Sequence, residues 1–265
     1  MQVPVQQVES VQRLREEYDD PFVRWQLDPA LVRRSFRYRG GVVVEHSHDR
    51  FGTPVSAPAL LCLGKPDDLH PLLVSVAESL DATPGRVTVE AHAVDALPPG
   101  WEYHGFRTWD FMWSDTVPPP YPGEGALEVL RDRDEIDALL DRANPGTHGR
   151  PGDPGSRLWL GARDGTGRLL AVGGLFALGS GTPNLRGIST LTAARGHGLG
   201  SAISARLARH GLATMAPVVT LGVYTDNLVA IAVYERLGFR HGHTFVSGEL
   251  RRERSSSTTA SAPSA

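Results

Sequence analysis

The chain has 265 residues, of which 40% are apolar and 22% charged, which is enough apolar material for a sizeable globular core. A net charge of −3 lacks the basic excess of nucleic-acid or anionic-membrane binders, so we expect partners among small molecules or proteins. The single cysteine, Cys62, excludes an intramolecular disulfide and a thiolate zinc cluster. No leader-like segment and no apolar run of about 18 residues is present, so a cytoplasmic location is expected.

A segment rich in proline and glycine divides the chain. Residues 117–125 hold four prolines and two glycines, a composition that suits neither a helix nor a central strand. We therefore predict a first domain at 1–117, a linker at 118–125 and a second domain at 126–250. The Ser/Thr/Ala-rich tail at 251–265 is predicted to be disordered.

In the first half, hydrophobic periodicity predicts helices over 5–17 and 67–80. Strands are predicted over 41–45, 60–64, 86–91 and 107–113.

The second half has a clearer pattern. The predicted elements are a strand at 126–129, a helix at 132–142, a hairpin of strands 157–163 and 168–178, a strand at 185–191, a helix at 198–210 ended by Gly211, a strand at 218–224, a helix at 228–237 ended by Gly238, and a strand at 244–250. This order predicts an α/β (α+β) fold with a mixed, mostly antiparallel sheet flanked by helices. Because the order after residue 60 resembles that after residue 185, with His104-Gly105-Phe106 matching Leu237-Gly238-Phe239, we predict two tandem copies of one domain.

A glycine-rich loop, Arg195-Gly196-His197-Gly198-Leu199-Gly200, joins a predicted strand to a predicted helix. Glycines allow close approach of a ligand, and a helix N-terminus offers free N–H groups that suit a pyrophosphate. Dinucleotide-fold spacing fails because Ile203 replaces the third glycine, and the Walker pattern fails because no lysine is present. A tight turn alone would explain one glycine better than three beside an arginine.

The following helix supplies a second motif. Asp226 or Asn227 can cap it, Ala230 lies on its buried face, and Tyr234 lies two turns beyond Asn227 on nearly the same side. Taken singly, Tyr234 would be a half-buried aromatic with its hydroxyl in water.

Together the two motifs resemble the GNAT superfamily of N-acetyltransferases, whose signature is R/Q-x-x-G-x-G/A opening a helix and, further along, N-x-x-A-x-x-x-Y ending in Gly-Phe. The resemblance covers residues 126–250. It implies transfer of an acetyl group from acetyl-CoA to a primary amine of a small molecule, by direct attack in a ternary complex and without a metal. Its implied CoA-binding residues are Ser189, Thr190 and Leu191 on the strand, Arg195, Gly196, His197, Gly198, Leu199, Gly200 and Ser201 around the loop, and Asn227. Tyr234 would protonate the departing thiolate.

Two departures from the family pattern stand out. Thr192 replaces a frequent proline, and no glutamate stands in the strands at 157–191 to serve as general base. A water chain or a loop histidine such as His148 could remove the proton, so the base is left unassigned. A non-catalytic acyl-CoA sensor or partner-binding module, a protein N-acetyltransferase and a homodimer remain open.

The first half lacks the glycine loop and has Gly64-Lys65-Pro66-Asp67-Asp68 in its place. Two carboxylates there would repel phosphates, so we expect this copy to have lost acyl-CoA binding and to wall the acceptor cleft.

Three further segments receive simpler interpretations. Glu45-His46-Ser47-His48-Asp49 contains His-x-His without an apparent third ligand and is read as a polar strand end. The arginines and aromatics of 33–39 indicate a solvated or interdomain surface. Trp109, Phe111 and Trp113 alternate on one strand face as core or interface packing, with an aromatic acceptor wall as the alternative.

Overall fold

A computed structural model describes residues 4–48, 54–80 and 82–252. In these ranges twelve strands form one sheet: β1 Gln6–Val8, β2 Val32–Tyr38, β3 Gly41–His48, β4 Pro54–Leu63, β5 Arg86–Glu90, β6 Trp101–Ser114, β7 Glu128–Val129, β8 Ser156–Arg163, β9 Leu169–Ala177, β10 Pro183–Thr190, β11 Val219–Tyr224 and β12 Arg240–Arg252. The α-helices described are α1 Val11–Glu17, α2 Pro66–Ser79, α3 Arg133–Ala143, α4 Leu199–Thr214 and α5 Leu228–Arg236. Short helical turns lie at Phe22–Gln26, Ala91–Ala96, Glu124–Ala126 and Thr192–Ala194.

The strand order reveals an internal two-fold repeat. Across the sheet it is β1-β2-β3-β4-β5-β12-β6-β11-β10-β9-β8-β7. If β1 to β6 are matched in turn with β7 to β12, the order read from one edge of the sheet is the same as the order read from the other edge. A pseudo-two-fold axis therefore passes between β6 and β12. The predicted tandem fold is therefore confirmed, but the two copies share a continuous sheet.

The last strand of each copy pairs with the other copy. β6 lies between β12 and β11, and β12 lies between β5 and β6. Only β4–β5 and β10–β11 are parallel pairs, and the remaining pairs are antiparallel. This agrees with the predicted mixed, mostly antiparallel sheet.

The helices cover both faces of the sheet. Met112 and Leu221 pair across β6 and β11 and pack against α4, which defines the α4 face. The next pair, Phe111 and Gly222, points to the opposite face because side chains alternate along strands. That opposite face is covered in the second half by α3, whose Ile136, Leu139 and Leu140 pack on Trp159 and Phe176, and we call it the α3 face.

Local sequence explains where the helices begin. Asp132 caps α3 by accepting hydrogen bonds from the amides of Asp134 and Glu135, at 3.0 and 3.2 Å. Asn227 caps α5 by accepting from the Ala230 amide at 3.2 Å, which decides between the two predicted caps. Gly238 has φ +88° after α5, as predicted for its C-terminal glycine.

One predicted element was wrong in the first half, and one strand was not predicted. The helix expected at 5–17 is β1 followed by α1, and Ser10 caps α1 by accepting from the Arg13 amide at 3.1 Å. Residues 33–38, interpreted above as part of a surface, belong to strand β2, whose Arg34 and Arg37 form ion pairs with Glu45 and Glu17 at 2.6 and 2.8 Å. β1 has only three residues, too few for an alternation of apolar and polar residues to be recognised. In β2 the arginines obscure this alternation.

The motif His104-Gly105-Phe106 lies inside β6, so its predicted match to Leu237-Gly238-Phe239 was wrong. Gly105 has φ +61° at a bulge, where the register of β6 with β12 shifts between Ser247 and Glu249.

Two predicted ends in the second half were also wrong. Gly211 does not end its helix: α4 continues to Thr214, and a Cβ at Gly211 would lie 2.8 Å from the Pro183 Cβ. This glycine instead allows α4 to pack closely on the sheet. β12 begins at Arg240 and runs to Arg252, so it includes the first two residues of the predicted tail. Residues 253–265 lie outside the described residues.

Candidate active site

A gap opens between two parallel strands of the second half. β10 and β11 pair only at Asn184–Thr220 and Leu185–Leu221, although both strands continue beyond these positions. β10 bulges after Arg186, with Gly187 at φ +63°. The backbone edges beyond this bulge therefore face each other without a shared register, and Gly222, in the middle of β11, is exposed.

The glycine loop lies at the open end of the gap. Gly196 and Gly198 have φ +82° and +76°, a region that favours glycine. Gly198 is the N-cap of α4 and provides no side-chain acceptor. The first helical hydrogen bond runs from the Ala202 amide to the Gly198 carbonyl at 2.9 Å. The amides of Leu199, Gly200 and Ser201 donate to no described residue, a geometry that suits an anion, and we call these three amides the anion cradle.

The predicted strand residues differ in what they present. Ser189 is buried, and its Oγ has no hydrogen-bond partner among the described residues. The Thr190 carbonyl accepts from Arg195 Nε at 3.3 Å, which ties the loop to β10. The Leu191 amide donates to the Leu170 carbonyl at 2.9 Å, so it is already used by β9.

The exposed loop residues lie close to one another. His197 Nδ1 lies 3.0 Å from the Arg195 carbonyl, and both side chains are exposed beside the cradle. Asn227 is exposed as well, and its side-chain Oδ1 caps α5. Its backbone amide donates to the Tyr224 carbonyl at 3.0 Å, whereas its side-chain Nδ2 makes no hydrogen bond to a described residue.

Tyr234 lies on α5, which follows β11 directly. It is 8% exposed on the α4 face, with its ring centroid 5.8 Å from that of Phe239. Burial raises the pKa of the Tyr234 phenol to about 12, so the hydroxyl keeps its proton at neutral pH. The hydroxyl makes no hydrogen bond to another described residue. These properties suit a proton donor.

A histidine and a tyrosine form a polar pair on the α3 face of the gap. His148 Nε2 lies 2.8 Å from the Tyr224 hydroxyl at the end of β11. Tyr224 pairs with Trp109 of β6, so both side chains lie on this face. The indole of Trp109 also lies 3.4 Å from where a Cβ on Gly222 would stand, and it borders the exposed strand floor. His148 and Tyr224 therefore form a hydrogen-bonded pair on the same face as Trp109 and the exposed Gly222.

The three aromatic residues of β6 have different surroundings. Phe111 is buried and packs edge-on against Phe22 with ring centroids 5.0 Å apart, as core packing predicts. Trp109 Nε1 donates to Ser247 Oγ at 2.9 Å. Trp113 lies 3.9 Å beneath the Arg240 guanidinium. Of the three, Trp109 is the one whose ring borders the exposed β11 floor.

The corresponding place in the first half is closed. β4 and β5 pair at four consecutive positions, from Ala59–Arg86 to Cys62–Val89. The Gly64 amide donates to Glu90 Oε2 at 2.6 Å, and the first turn of α2 carries Asp67 and Asp68. This copy therefore has neither the gap nor an anion cradle.

The His-x-His segment forms no metal site in the described chain. His46 lies in β3 with its neighbour Glu45 bound to two arginines, and burial lowers the pKa of His46 to about 4. No group of three or more potential metal ligands occurs among the described residues. Asp49 lies outside them, and the His48 side chain is not described.

Two tyrosines at the site escaped prediction. A Cβ on Gly198 would lie 3.3 Å from Cε1 of Tyr121, so the linker reaches the anion cradle. Glu124 accepts from the Tyr121 amide at 2.6 Å and pairs with Arg209 of α4. Tyr224 was assigned only to a strand. The proline-rich composition at 117–125 identifies a linker but does not reveal where it docks.

Among the described residues, no helix combines the length and apolar character needed for a membrane span.

Comparisons with known proteins find a matching family model and solved structures with a similar fold. Residues 110–239 match the model of the Acetyltransferase (GNAT) family. No curated protein sequence matches the chain. A solved Drosophila protein is 18% identical, covers 91% of this chain and 86% of its own, and gives a TM-score of 0.54. A GCN5-related N-acetyltransferase from Sphaerobacter thermophilus is 16% identical over 85% of this chain and 82% of its own, with a TM-score of 0.51. An acetyltransferase of the GNAT family from Colwellia psychrerythraea is 14% identical over 93% and 99%, with a TM-score of 0.50. At these identities the structures show a shared fold.

Proposed function

We propose that this chain, whose residues 110–239 match the model of the GNAT acetyltransferase family, transfers an acetyl group from acetyl-CoA to a primary amine of a small molecule. The gap between β10 and β11, which opens beside the uncapped N-terminus of α4, is the observation that carries this proposal. A strand edge with free backbone groups and an anion cradle at its end suit a long ligand that terminates in phosphates. The single buried cysteine is consistent with a cytoplasmic enzyme.

The residues of the second half fit acetyl-CoA. The amides of Leu199, Gly200 and Ser201 would hold the pyrophosphate, and Gly196 and Gly198 keep the approach free of side chains. Ser189 and Thr190 offer polar groups along β10, and the Asn227 side chain offers another at the start of α5. Bound there, acetyl-CoA supplies an acetyl group activated as a thioester.

The acceptor amine would enter from the α3 face. His148 and Tyr224 lie 2.8 Å apart there, and a histidine with a hydrogen-bonded phenol can receive the proton of the attacking amine. We assign His148 as the general base, with Tyr224 orienting it. No glutamate of β8, β9 or β10 competes for this role.

Tyr234 would act from the opposite face. Its phenol is protonated, buried and free of other hydrogen bonds to described residues, so it can donate a proton to the sulfur as the carbon–sulfur bond breaks. Base and acid thus stand on opposite faces of the sheet, which allows direct attack in a ternary complex.

The first half contributes a wall instead of a second site. Its β6 forms one side of the acceptor region through Trp109. Its helical turn at Phe22–Gln26 contacts the second half, where Ser180 Oγ donates to the Trp25 carbonyl at 2.7 Å. We therefore expect one acetyl-CoA per chain.

The experiment is thiol release from acetyl-CoA across a panel of small amines and peptides, with CoA binding measured in parallel by calorimetry. Turnover on small amines, with binding at one site, supports the proposal. Tight CoA binding without turnover on any amine or peptide would instead identify a sensor or partner-binding module. Turnover confined to peptides would identify a protein N-acetyltransferase.

A further inference from the structure

Arg107 places a positive charge beside the acceptor pair. It lies on β6 two residues before Trp109, so both side chains project to the α3 face. Its guanidinium carbon lies 5.2 Å from the centroid of the Tyr224 ring, and the Tyr224 hydroxyl contacts His148. The guanidinium is thus held against the ring whose hydroxyl orients the proposed base.

Three carboxylates of the neighbouring strands and turns already have hydrogen-bond partners. Asp20 and Glu90 flank His243 at 2.7 and 2.8 Å. Asp110, the neighbour of Trp109 on β6, projects to the α4 face, where it accepts from Thr244 Oγ1 at 2.6 Å.

Arg107 is exposed and forms no ion pair with a carboxylate in the described part of the chain. The contact with the Tyr224 ring holds the guanidinium near the acceptor pair, and its N–H groups are able to bind an anion.

We propose that the acceptor is an amine that also carries a carboxylate, and that Arg107 binds this carboxylate. The inference rests on the proposed function and names the class of its acceptor. An arginine presents two parallel N–H groups that match the two oxygens of a carboxylate. With the carboxylate on Arg107, the amine of the same molecule lies on the side of Tyr224 and His148. A purely cationic amine would instead be repelled by Arg107.

The test compares amino acids with their own carboxamides, in a panel that varies the separation between amine and carboxylate. Wild-type protein should give a higher kcat/KM on the acid of at least one pair. Arg107→Gln should lower kcat/KM on that acid by about 10-fold or more, as expected for loss of a charged hydrogen-bonded pair, and change the amide by less than about 2-fold. Arg107→Lys keeps the charge without the fork and should fall between the two.

Arg168→Gln is the matched control, because Arg168 is an exposed arginine in the β8–β9 turn. It should leave both members of each pair unchanged. Comparing acid-to-amide ratios between variant and wild type cancels differences in amine basicity. Turnover with the same ratio in Arg107→Gln and wild type, or a general preference for amides, would overturn this inference while leaving acetyl transfer intact. Absence of turnover on every amine would overturn the proposed function and this inference with it.

Discussion

A buried histidine holds the exchanged strand β12 to the first half. His243 Nε2 lies 2.7 Å from Asp20 Oδ2, and its Nδ1 lies 2.8 Å from Glu90 Oε1. All three side chains are at most 12% exposed. Asp20 also accepts from the amides of Phe22 and Val23, so the cluster joins the N-terminal segment, β5 and β12. His243→Gln should therefore destabilise the whole sheet.

The size of the effect follows from the pKa of His243. Burial alone would lower it, but hydrogen bonds to Asp20 and Glu90 outweigh burial and raise it from 6.5 to about 9. This difference corresponds to a stabilisation of about 3 kcal/mol, with little solvent screening for so buried a group. Breaking a buried ion pair from one side costs a similar amount, about 3–5 kcal/mol.

The stabilisation has a defined pH window. Because the folded-state pKa is raised, the contribution of His243 is fully present below pH 6.5 and lost as the pH rises through about 9. The pKa of Glu90 is lowered: burial would raise it, but the His243 and Gly64 hydrogen bonds prevail. The contribution of Glu90 is therefore present above the ordinary glutamate pKa and lost as the pH falls.

Urea unfolding at a series of pH values measures this contribution. The free energy of unfolding of the wild type should fall between pH 6.5 and about 9 by about 3 kcal/mol more than that of His243→Gln, so the two curves should converge at high pH. His104→Gln, at an exposed histidine of β6, is the control and should cost less than about 0.5 kcal/mol. A constant difference between wild type and His243→Gln at all pH values would refute the assignment of charge to His243.

Two further predictions concern the site and the exchanged strands. Gly198→Glu should abolish CoA binding in calorimetry, because a side chain and a negative charge would enter the anion cradle at a residue with φ +76° and would contact Tyr121. The control Gly165→Glu, in an open turn, should bind CoA normally. Unchanged CoA affinity in a folded Gly198→Glu protein would show that this loop is not the CoA site. A chain beginning at Gly123 lacks β6, which pairs at six positions with β11 and eleven with β12, so it should be insoluble or inactive unless residues 1–117 are co-expressed; full activity alone would contradict this.

The elements of the second half could be predicted because their signals are local. Asp132 and Asn227 are side-chain caps, and both helices begin at the next residue. The glycine loop was recognisable because three glycines beside Arg195 have few structural reasons to occur together. The end of α4 was wrongly predicted at Gly211, because this glycine is required for close packing on Pro183. In the sequence, a glycine required for packing cannot be distinguished from one that ends a helix.

The strand exchange could not be read from the sequence. β6 and β12 each have apolar positions that could pair with either copy, and their partners are distant along the chain. The gap between β10 and β11 depends on the bulge at Gly187. A single glycine in a strand does not show whether the neighbouring strand remains paired beyond that residue. His148 and Tyr224 are 76 residues apart, so their contact exists only in the fold.

The most direct test of the central claim is steady-state kinetics of Tyr234→Phe with CoA binding measured in parallel. The substitution keeps the ring that packs on Phe239 and removes only the hydroxyl, which has no other hydrogen bond in the described chain. A positioned general acid contributes roughly 10²–10⁴-fold, so kcat should fall by that factor while the Kd for CoA and the Tm stay nearly unchanged. Turnover within about 2-fold of wild type, a barrier difference of only about 0.4 kcal/mol, would show that Tyr234 is a packing residue and contradict the account.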